Sequence, residues 1–153
     1  MAFWHKLMAK LAPSTDSAQL DDRSTSLIYV VLPEPLEPLE PLEPLDRGSR
    51  YEDPLEAELN IADVGFVSGG GSSLGEERAD GTREIEHCGI DVDAFDVDAA
   101  RELLRSHLPA LGCLAGTQLQ YRDETDVALQ DEFDGAEWQL GQPRTAMHPG
   151  FGI

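Results

Sequence analysis

Basic residues are scarce in this chain, and their scarcity bears on which partners it can have. Its 153 residues include 11 Lys and Arg against 30 Asp and Glu, a formal net charge of −19 at pH 7. Nucleic-acid binding takes most of its affinity from basic contacts to phosphate, and anionic membrane surfaces also attract basic segments. We therefore expect no nucleic-acid partner and no stable membrane insertion. The acidity favours a basic protein or cations as partners, unless it serves only solubility.

Cysteines and long apolar runs are also few. Cys88 and Cys113 are too few for a disulfide framework or a zinc site, and we expect both to be small buried apolar residues. No run of about 18 apolar residues occurs, so no transmembrane helix is predicted. Near the start, His5, Lys6 and Lys10 interrupt the apolar run that a secretory signal requires. The sequence therefore predicts a cytoplasmic protein.

Catalytic patterns provide no enzyme assignment. Cys-x-x-Cys and His-Glu-x-x-His are both missing. The adjacent pairs Ser106-His107 and His87-Cys88 point to different sides of their helix or strand, which does not suit activation of a nucleophile. The run Gly69-Gly70-Gly71 is followed by acids rather than by the Lys of a phosphate-binding loop, and we interpret it as part of a hairpin loop. We predict no catalytic residue, no cofactor and no enzyme activity.

The order of predicted elements indicates an α+β fold. Hydrophobic periodicity and turn residues predict β-α-β-β-α-β followed by a hairpin. The segments are Leu27–Leu32, a helix beginning at Asp53-Pro54, Asp63–Ser68, Arg83–Phe95, a helix capped by Asp96, Thr117–Arg122, and a hairpin of Asp126–Phe133 with Glu137–Leu140. This order predicts a ferredoxin-like antiparallel sheet with two helices on one face and an added C-terminal hairpin. Leu27–Leu32 and Arg83–Phe95 should be adjacent central strands.

The chain divides into residues 1–26 and one domain over residues 27–153. Met1–Leu11 has apolar residues at helical spacing and predicts an amphipathic helix, which a polar linker follows. A Pro-Leu-Glu repeat fills residues 33–46 and favours polyproline II, because proline every third residue prevents a helix or a strand ladder. We interpret the repeat as a stiff loop, with a ligand for a proline-binding domain as the alternative.

Alternate residues of the long strand form a possible cation site. His87, Asp91 and Asp93 share one face of Arg83–Phe95 and offer imidazole and carboxylate ligands. One strand seldom supplies a whole metal site, so we interpret this face as solvated and predict no bound metal.

Acidic residues surround two aromatic residues near the C-terminus. We predict this group to be a partner-binding surface: Asp131, Glu132, Phe133, Asp134, Glu137 and Trp138. Carboxylates around an aromatic anchor suit a basic protein surface, and Trp138 can also stack on Arg. The alternative places Trp138 in the core at the end of an added strand.

The segment from Ile85 to Tyr121 resembles a group of small acidic bacterial proteins of unknown activity. The resemblance rests on Ile-Glu-His-Cys-Gly-Ile-Asp-Val-Asp at residues 85–93 and on Leu-Gly-Cys-Leu-Ala-Gly-Thr-Gln-Leu-Gln-Tyr at residues 111–121. The glycine run, Pro143-Arg144 and His148-Pro149-Gly150-Phe151 are similar too, so the resemblance spans about residues 27–153. No catalytic residues come with it. In size and acidity these proteins are similar to immunity proteins of bacterial toxin systems.

Our leading hypothesis is a non-catalytic binding protein, specifically an immunity protein that neutralises a basic bacterial toxin. The alternative is a small ligand- or metal-binding regulatory domain that uses the ferredoxin-like sheet. Toxin neutralisation requires a basic protein partner, whereas regulation requires a small ligand.

Deletion of residues 1–20 should leave the domain folded. The apolar side of Met1–Leu11 is short, and a polar linker separates it from Leu27. We expect the truncated and full-length chains to melt at nearly the same temperature by circular dichroism. Loss of the thermal transition on truncation would show that this segment belongs to the core.

Overall fold

The computed structural model describes residues 23–33, 47–77, 79–81 and 83–151. The predicted helix Met1–Leu11 and residues 34–46 of the repeat lie outside the described residues. In chain order the elements are β1 (Ser26–Leu32), a π-helical turn (Arg47–Glu52), α1 (Asp53–Ala62), β2 (Gly65–Glu77), β3 (Arg83–Ala94), α2 (Val97–Ala110), β4 (Gln118–Arg122), β5 (Ala128–Phe133) and β6 (Trp138–Pro143).

The strands form one antiparallel sheet in the order β2-β3-β1-β4-β5-β6. β1 pairs with β3 from Ser26 opposite Ala94 to Leu32 opposite Cys88, and with β4 on its other side. The prediction of an antiparallel α+β sheet with adjacent central strands β1 and β3 is confirmed. The full order is not that of a four-stranded ferredoxin-like sheet, because β5 and β6 continue the sheet beyond β4.

Local sequence explains both ends of α2. The Asp96 carboxylate accepts a hydrogen bond from the Ala99 N–H at 3.0 Å, which confirms Asp96 as the N-cap. Gly112 follows the helix with a φ of 93°, which glycine adopts without strain. Pro109 is tolerated inside the last turn of the helix.

The start of α1 differs from the prediction. The pair Asp53-Pro54 predicts Asp53 as the N-cap, but the preceding π-helical turn runs directly into the helix, and Glu52 at the cap position is already helical. The Glu52 side chain makes no capping hydrogen bond. Pro54 lies in the first turn, where its missing N–H does no harm.

The hydrophobic core lies on one face of the sheet, under both helices. Ile28, Val30 and Leu32 of β1 alternate onto this face, and buried leucines of α1 and α2 pack against them. Cys88 and Cys113 are buried, as predicted from their apolar character. Because the two helices contribute to the same cluster, they lie on the same side of the sheet.

The glycine run belongs to a strand rather than to a loop. β2 extends from Gly65 through Gly69-Gly70-Gly71 to Glu77, with register shifts along its pairing with β3. The expected hairpin loop is therefore shorter than predicted. Backbone pairing to the long strand β3 outweighs the low strand propensity of glycine.

The C-terminal segment crosses the opposite face of the sheet. The His148 ring stacks on Tyr29, with centroids 3.9 Å apart and an interplanar angle of 8°. The Phe151 N–H donates to the Asp91 carboxylate at 2.8 Å, and the His148 N–H donates to Gln120 at 2.8 Å. Tyr29 is fully buried by this cover, and the burial, together with nearby Asp91, raises the pKa of its phenol.

Among the described residues, neither helix has the length and apolar character needed to cross a membrane.

Gly89→Ala should destabilise the protein through a clash with Tyr29. A Cβ on Gly89 would lie 2.2 Å from the Tyr29 hydroxyl and 2.5 Å from its Cζ atom. The Tyr29 ring is held by the stacked His148, so we expect a loss of about 1–3 kcal/mol in the free energy of unfolding by urea denaturation. In a Tyr29→Ala background the same substitution should cost less, because the whole ring that the added Cβ would meet is gone. An equal cost in both backgrounds would contradict this explanation.

Candidate functional site

Asp131 is the centre of a buried polar cluster, not a surface acid as predicted. It is fully buried in β5 and faces the helix side of the sheet. Two arginines of α2 bond to its carboxylate, Arg101 through Nε and Nη2 at 2.9 Å each and Arg105 through Nη1 at 2.9 Å. The Tyr121 hydroxyl donates at 3.0 Å and the Gly141 N–H at 2.9 Å. The sequence shows Asp131, Arg101 and Arg105, but not that the two arginines contact this carboxylate and so permit its burial.

The same cluster raises the pKa of the Tyr121 phenol. Burial, and then the adjacent negative charge of Asp131, raises the pKa of Tyr121 to about 12. The Arg101 guanidinium lies 3.8 Å from the centroid of the Tyr121 ring. Tyr121 therefore stays a neutral donor to Asp131 at physiological pH, and this group is a structural support.

The two predicted aromatic anchors pack into the protein. Phe133 is 7% exposed and belongs to the core, and half-buried Trp138 packs against that core. Their ring centroids lie 5.2 Å apart, and the Trp138 indole N–H donates to the Arg105 carbonyl at 3.1 Å. The structure therefore corrects the expected surface position of Phe133 and favours the core alternative for Trp138.

The remaining acids of the predicted group lie at or near the surface. Asp134 and Glu137 are exposed on the β5–β6 turn, while Glu132 is half-buried and accepts from the amides of Gln118 and Gln130 at 3.0 and 3.2 Å. Backbone N–H groups of Glu137 and Ala136 bond to Asp134 and lower the pKa of its carboxyl. The turn thus holds an ionised acid in a defined position.

A second acidic surface lies where α2 begins and β4 ends, apart from the partner surface that was predicted near the C-terminus. These segments enclose a cleft of about 530 Å³ that is lined by Asp96 and Asp98 of the first segment and by Asp123 and Glu124 of the second. Asp126 lines an adjoining cleft. Hydrogen bonds from Val127 and Thr125 lower the pKa of Asp123. The run Asp123-Glu124-Thr125-Asp126 is visible in the sequence, but its proximity to Asp96 and Asp98 depends on the sheet.

An adjoining cleft of about 390 Å³ lies between this turn and the C-terminal segment. Leu27, Met147, His148 and Pro149 contribute apolar and aromatic surface, and Arg122 with Asp123 and Asp126 contributes charge. Its size is in the range of small-molecule sites, which makes it the structural basis for a ligand-binding alternative.

The strand residues considered for a cation do not form a site. Asp91 is 2% exposed and accepts from the Phe151 N–H, so its expected solvation is wrong. His87 lies beside the Tyr29 and His148 rings, at centroid distances of 6.4 Å each. No three His, Cys, Asp or Glu residues in the described ranges are grouped to hold a metal ion.

One further short motif occurs in β2. Gly71-Ser72-Ser73-Leu74-Gly75 has the Gly-x-Ser-x-Gly spacing of a nucleophile elbow. That motif requires a sharp turn from a strand into a helix, whereas these residues continue along β2, where Ser73 pairs with His87 of β3. The backbone context therefore does not match an elbow.

Comparison with protein-family models, with curated proteins and with solved structures found no match to this chain.

Asp131→Asn should destabilise the fold strongly, because it leaves Arg105 without its counter-charge and leaves Arg101 paired with the exposed Asp98 instead of the buried Asp131. Breaking a buried ion pair from one side costs about 3–5 kcal/mol, and partial exposure of both arginines places our expectation near the lower limit. The measurement is urea denaturation at neutral pH. Glu102→Gln, an exposed acid-to-amide change on α2, is the matched control and should unfold like the parent chain. Equal behaviour of the two variants would contradict the role assigned to Asp131.

Proposed function

We propose that this chain is a non-catalytic protein-binding domain that uses its acidic surface to bind a basic protein. Specifically, we propose that it is a cytoplasmic immunity protein that neutralises a basic bacterial toxin. The observation that carries it is the distribution of charge over the described residues, where exposed carboxylates outnumber exposed arginines.

The arginine side chains that the structure describes all have intramolecular contacts. These contacts are Arg23 with Asp63, Arg50 with the carbonyls of Leu111 and Gly112, Arg101 with Asp98 and Asp131, Arg105 with Asp131, Arg122 with Asp126, and Arg144 with Gln130. Their positive charge is thereby tied to particular sites. The exposed acids of the cleft at α2 and β4 keep a negative surface that attracts cationic groups.

The cleft at α2 and β4 suits basic side chains in both size and charge. Its acids stand on two separate elements, the N-terminal turn of α2 and the β4–β5 turn, and Arg101 and Arg122 also line it. Because the carboxylates outnumber these arginines, a Lys or Arg that enters between the two elements meets a net negative charge. A toxin whose active surface is basic, such as one acting on nucleic acid, would be covered by such a surface. Steering by the net charge of −19 would speed the encounter.

A small ligand-binding regulatory domain remains the second candidate. The cleft of about 390 Å³ favours it, since apolar groups and one Arg converge there at the end of β1 and β4. The order β2-β3-β1-β4 of the first four strands supports the ferredoxin-like part of this proposal. A ligand in this cleft would contact Met147 and His148, whereas a basic partner would contact the acids of α2.

The function is tested with the protein encoded by the neighbouring gene as the probe. We expect a toxin with a basic domain, whose effect on growth is abolished when this chain is co-expressed. Failure of protection, or an acidic neighbour product, would contradict the immunity role.

Association with that toxin should depend steeply on salt. The rate should fall about tenfold or more between low and physiological ionic strength, where the Debye length is about 8 Å. The double variant Asp98→Asn with Glu124→Gln should slow association in stopped-flow measurements at low salt. Asp53→Asn with Asp80→Asn removes the same two charges from other exposed positions and is the matched control. Equal slowing by both pairs would show that only net charge matters and not this cleft.

A further inference from the structure

The two edge strands of the sheet, β2 and β6, differ in how they are protected against pairing with another strand. At the β2 end, the Val67 N–H donates to the Glu56 carboxylate of α1 at 2.6 Å, so a side chain occupies a position that another strand could use. At the β6 end, Trp138–Pro143 contains no charged residue. Within the described ranges, β5 is the only strand that pairs with β6. Natural edge strands carry charges, prolines or bulges that prevent further pairing; β6 has no charge, and its register shift and Pro143 lie after Gln139.

The backbone of β6 is available over a short stretch. The Asp134 N–H donates to the Glu137 carbonyl at 2.9 Å, and Gln139 pairs with Glu132, so these positions face β5. Because the hydrogen-bonding direction alternates along an antiparallel strand, the backbone of Trp138 faces outward. The Gly141 N–H is turned inward to Asp131, and Pro143 has no N–H. The open stretch therefore lies within Glu137–Leu140 and centres on the outward-facing backbone of Trp138, with a register shift against β5 between Gln139 and Gln142.

The side chains around this stretch indicate what would pair with it. Leu140 is 56% exposed in a strand without charges, which offers an apolar contact. Asp134 and Glu137 are exposed at the adjacent turn. A second copy of this chain would bring the same acids and another net charge of −19 to the edge and be repelled. A strand with alternating basic and apolar residues meets both the acids and Leu140.

We propose that the β6 edge, residues Glu137–Leu140, binds an extended segment of a basic partner as a seventh strand of the sheet. Backbone hydrogen bonds supply the pairing, and basic side chains beside Asp134 and Glu137 set its position. This inference rests on the proposed function and assigns it a docking mode. Of the partner surface predicted from sequence, Asp134 and Glu137 keep a role in binding. The backbone of β6 takes the place of the aromatic anchors Phe133 and Trp138.

The test uses two synthetic peptides and the full chain. One peptide alternates valine and lysine over seven residues; the other has the same sequence with every central amide N-methylated, so that charge is kept and strand pairing is prevented. We expect the N-methylated peptide to bind about tenfold more weakly at low salt, in line with the loss of a few backbone hydrogen bonds. The unmethylated peptide should slow hydrogen exchange of the Trp138 and Leu140 amides and leave the Val67 amide unchanged.

Variants at the edge provide a second arm. Leu140→Pro should weaken the unmethylated peptide to the level of its N-methylated counterpart, whereas Leu140→Ala should keep most of the difference. If Leu140→Pro does not fold, the peptide pair still decides the question. Equal binding of both peptides would overturn strand addition and leave the proposed function standing, since that function depends on growth protection. Protection of the same amides in a dimer without peptide would also overturn it, with a second copy as the occupant.

Discussion

The buried carboxylate of Asp131 is the interaction on which the C-terminal half of the fold depends. It joins four elements, since it lies on β5 and bonds to Arg101 and Arg105 of α2, to Tyr121 of β4 and to the Gly141 N–H of β6. Burial of a single carboxylate is very unfavourable, and here two arginines and two further donors compensate for it. These bonds attach the β5–β6 hairpin to α2. The Trp138 indole N–H adds a hydrogen bond to the Arg105 carbonyl of the same helix.

This internal use of arginine also determines the character of the surface. Lysine occurs only at Lys6 and Lys10, so the arginines are almost all the positive charge that residues 27–153 have. Those whose side chains are described bond within the molecule, and exposed acids outnumber the arginines that are exposed. The proposed function rests on this excess of exposed acids, because an acidic surface attracts basic partners and repels its own copies.

The far side of the sheet shows a different solution to burying polar groups. Tyr29 and Asp91 face away from the core, and the C-terminal segment covers them through the stacked ring of His148 and the N–H of Phe151. Gly89 leaves room for the Tyr29 ring, and Gly71 leaves room for Phe151. The sheet is thus covered on one face by helices and in part on the other by an irregular segment, so polar residues on the second face become part of the interior.

Local features of this chain could be predicted from sequence because they depend on neighbouring residues. The alternation of Leu27–Leu32, the Asp96 cap, the hairpin near Gly135 and the net charge of −19 follow from residues close together in the chain. The predicted partner surface could be located only in part. Asp131 and Phe133 are buried because strand pairing places them under α2, and the cleft acids meet because the start of α2 and the turn after β4 line the same cleft. Those relations join residues about 25 or more positions apart, and period-2 alternation states only that neighbouring residues face opposite ways, not which face is covered. The sequence by itself determined the central strands, the Asp96 cap and the sign of the charge. Tertiary structure alone decided which acids became internal ion-pair partners and which stayed at the surface, because the energy of a charge depends on the groups brought around it in space.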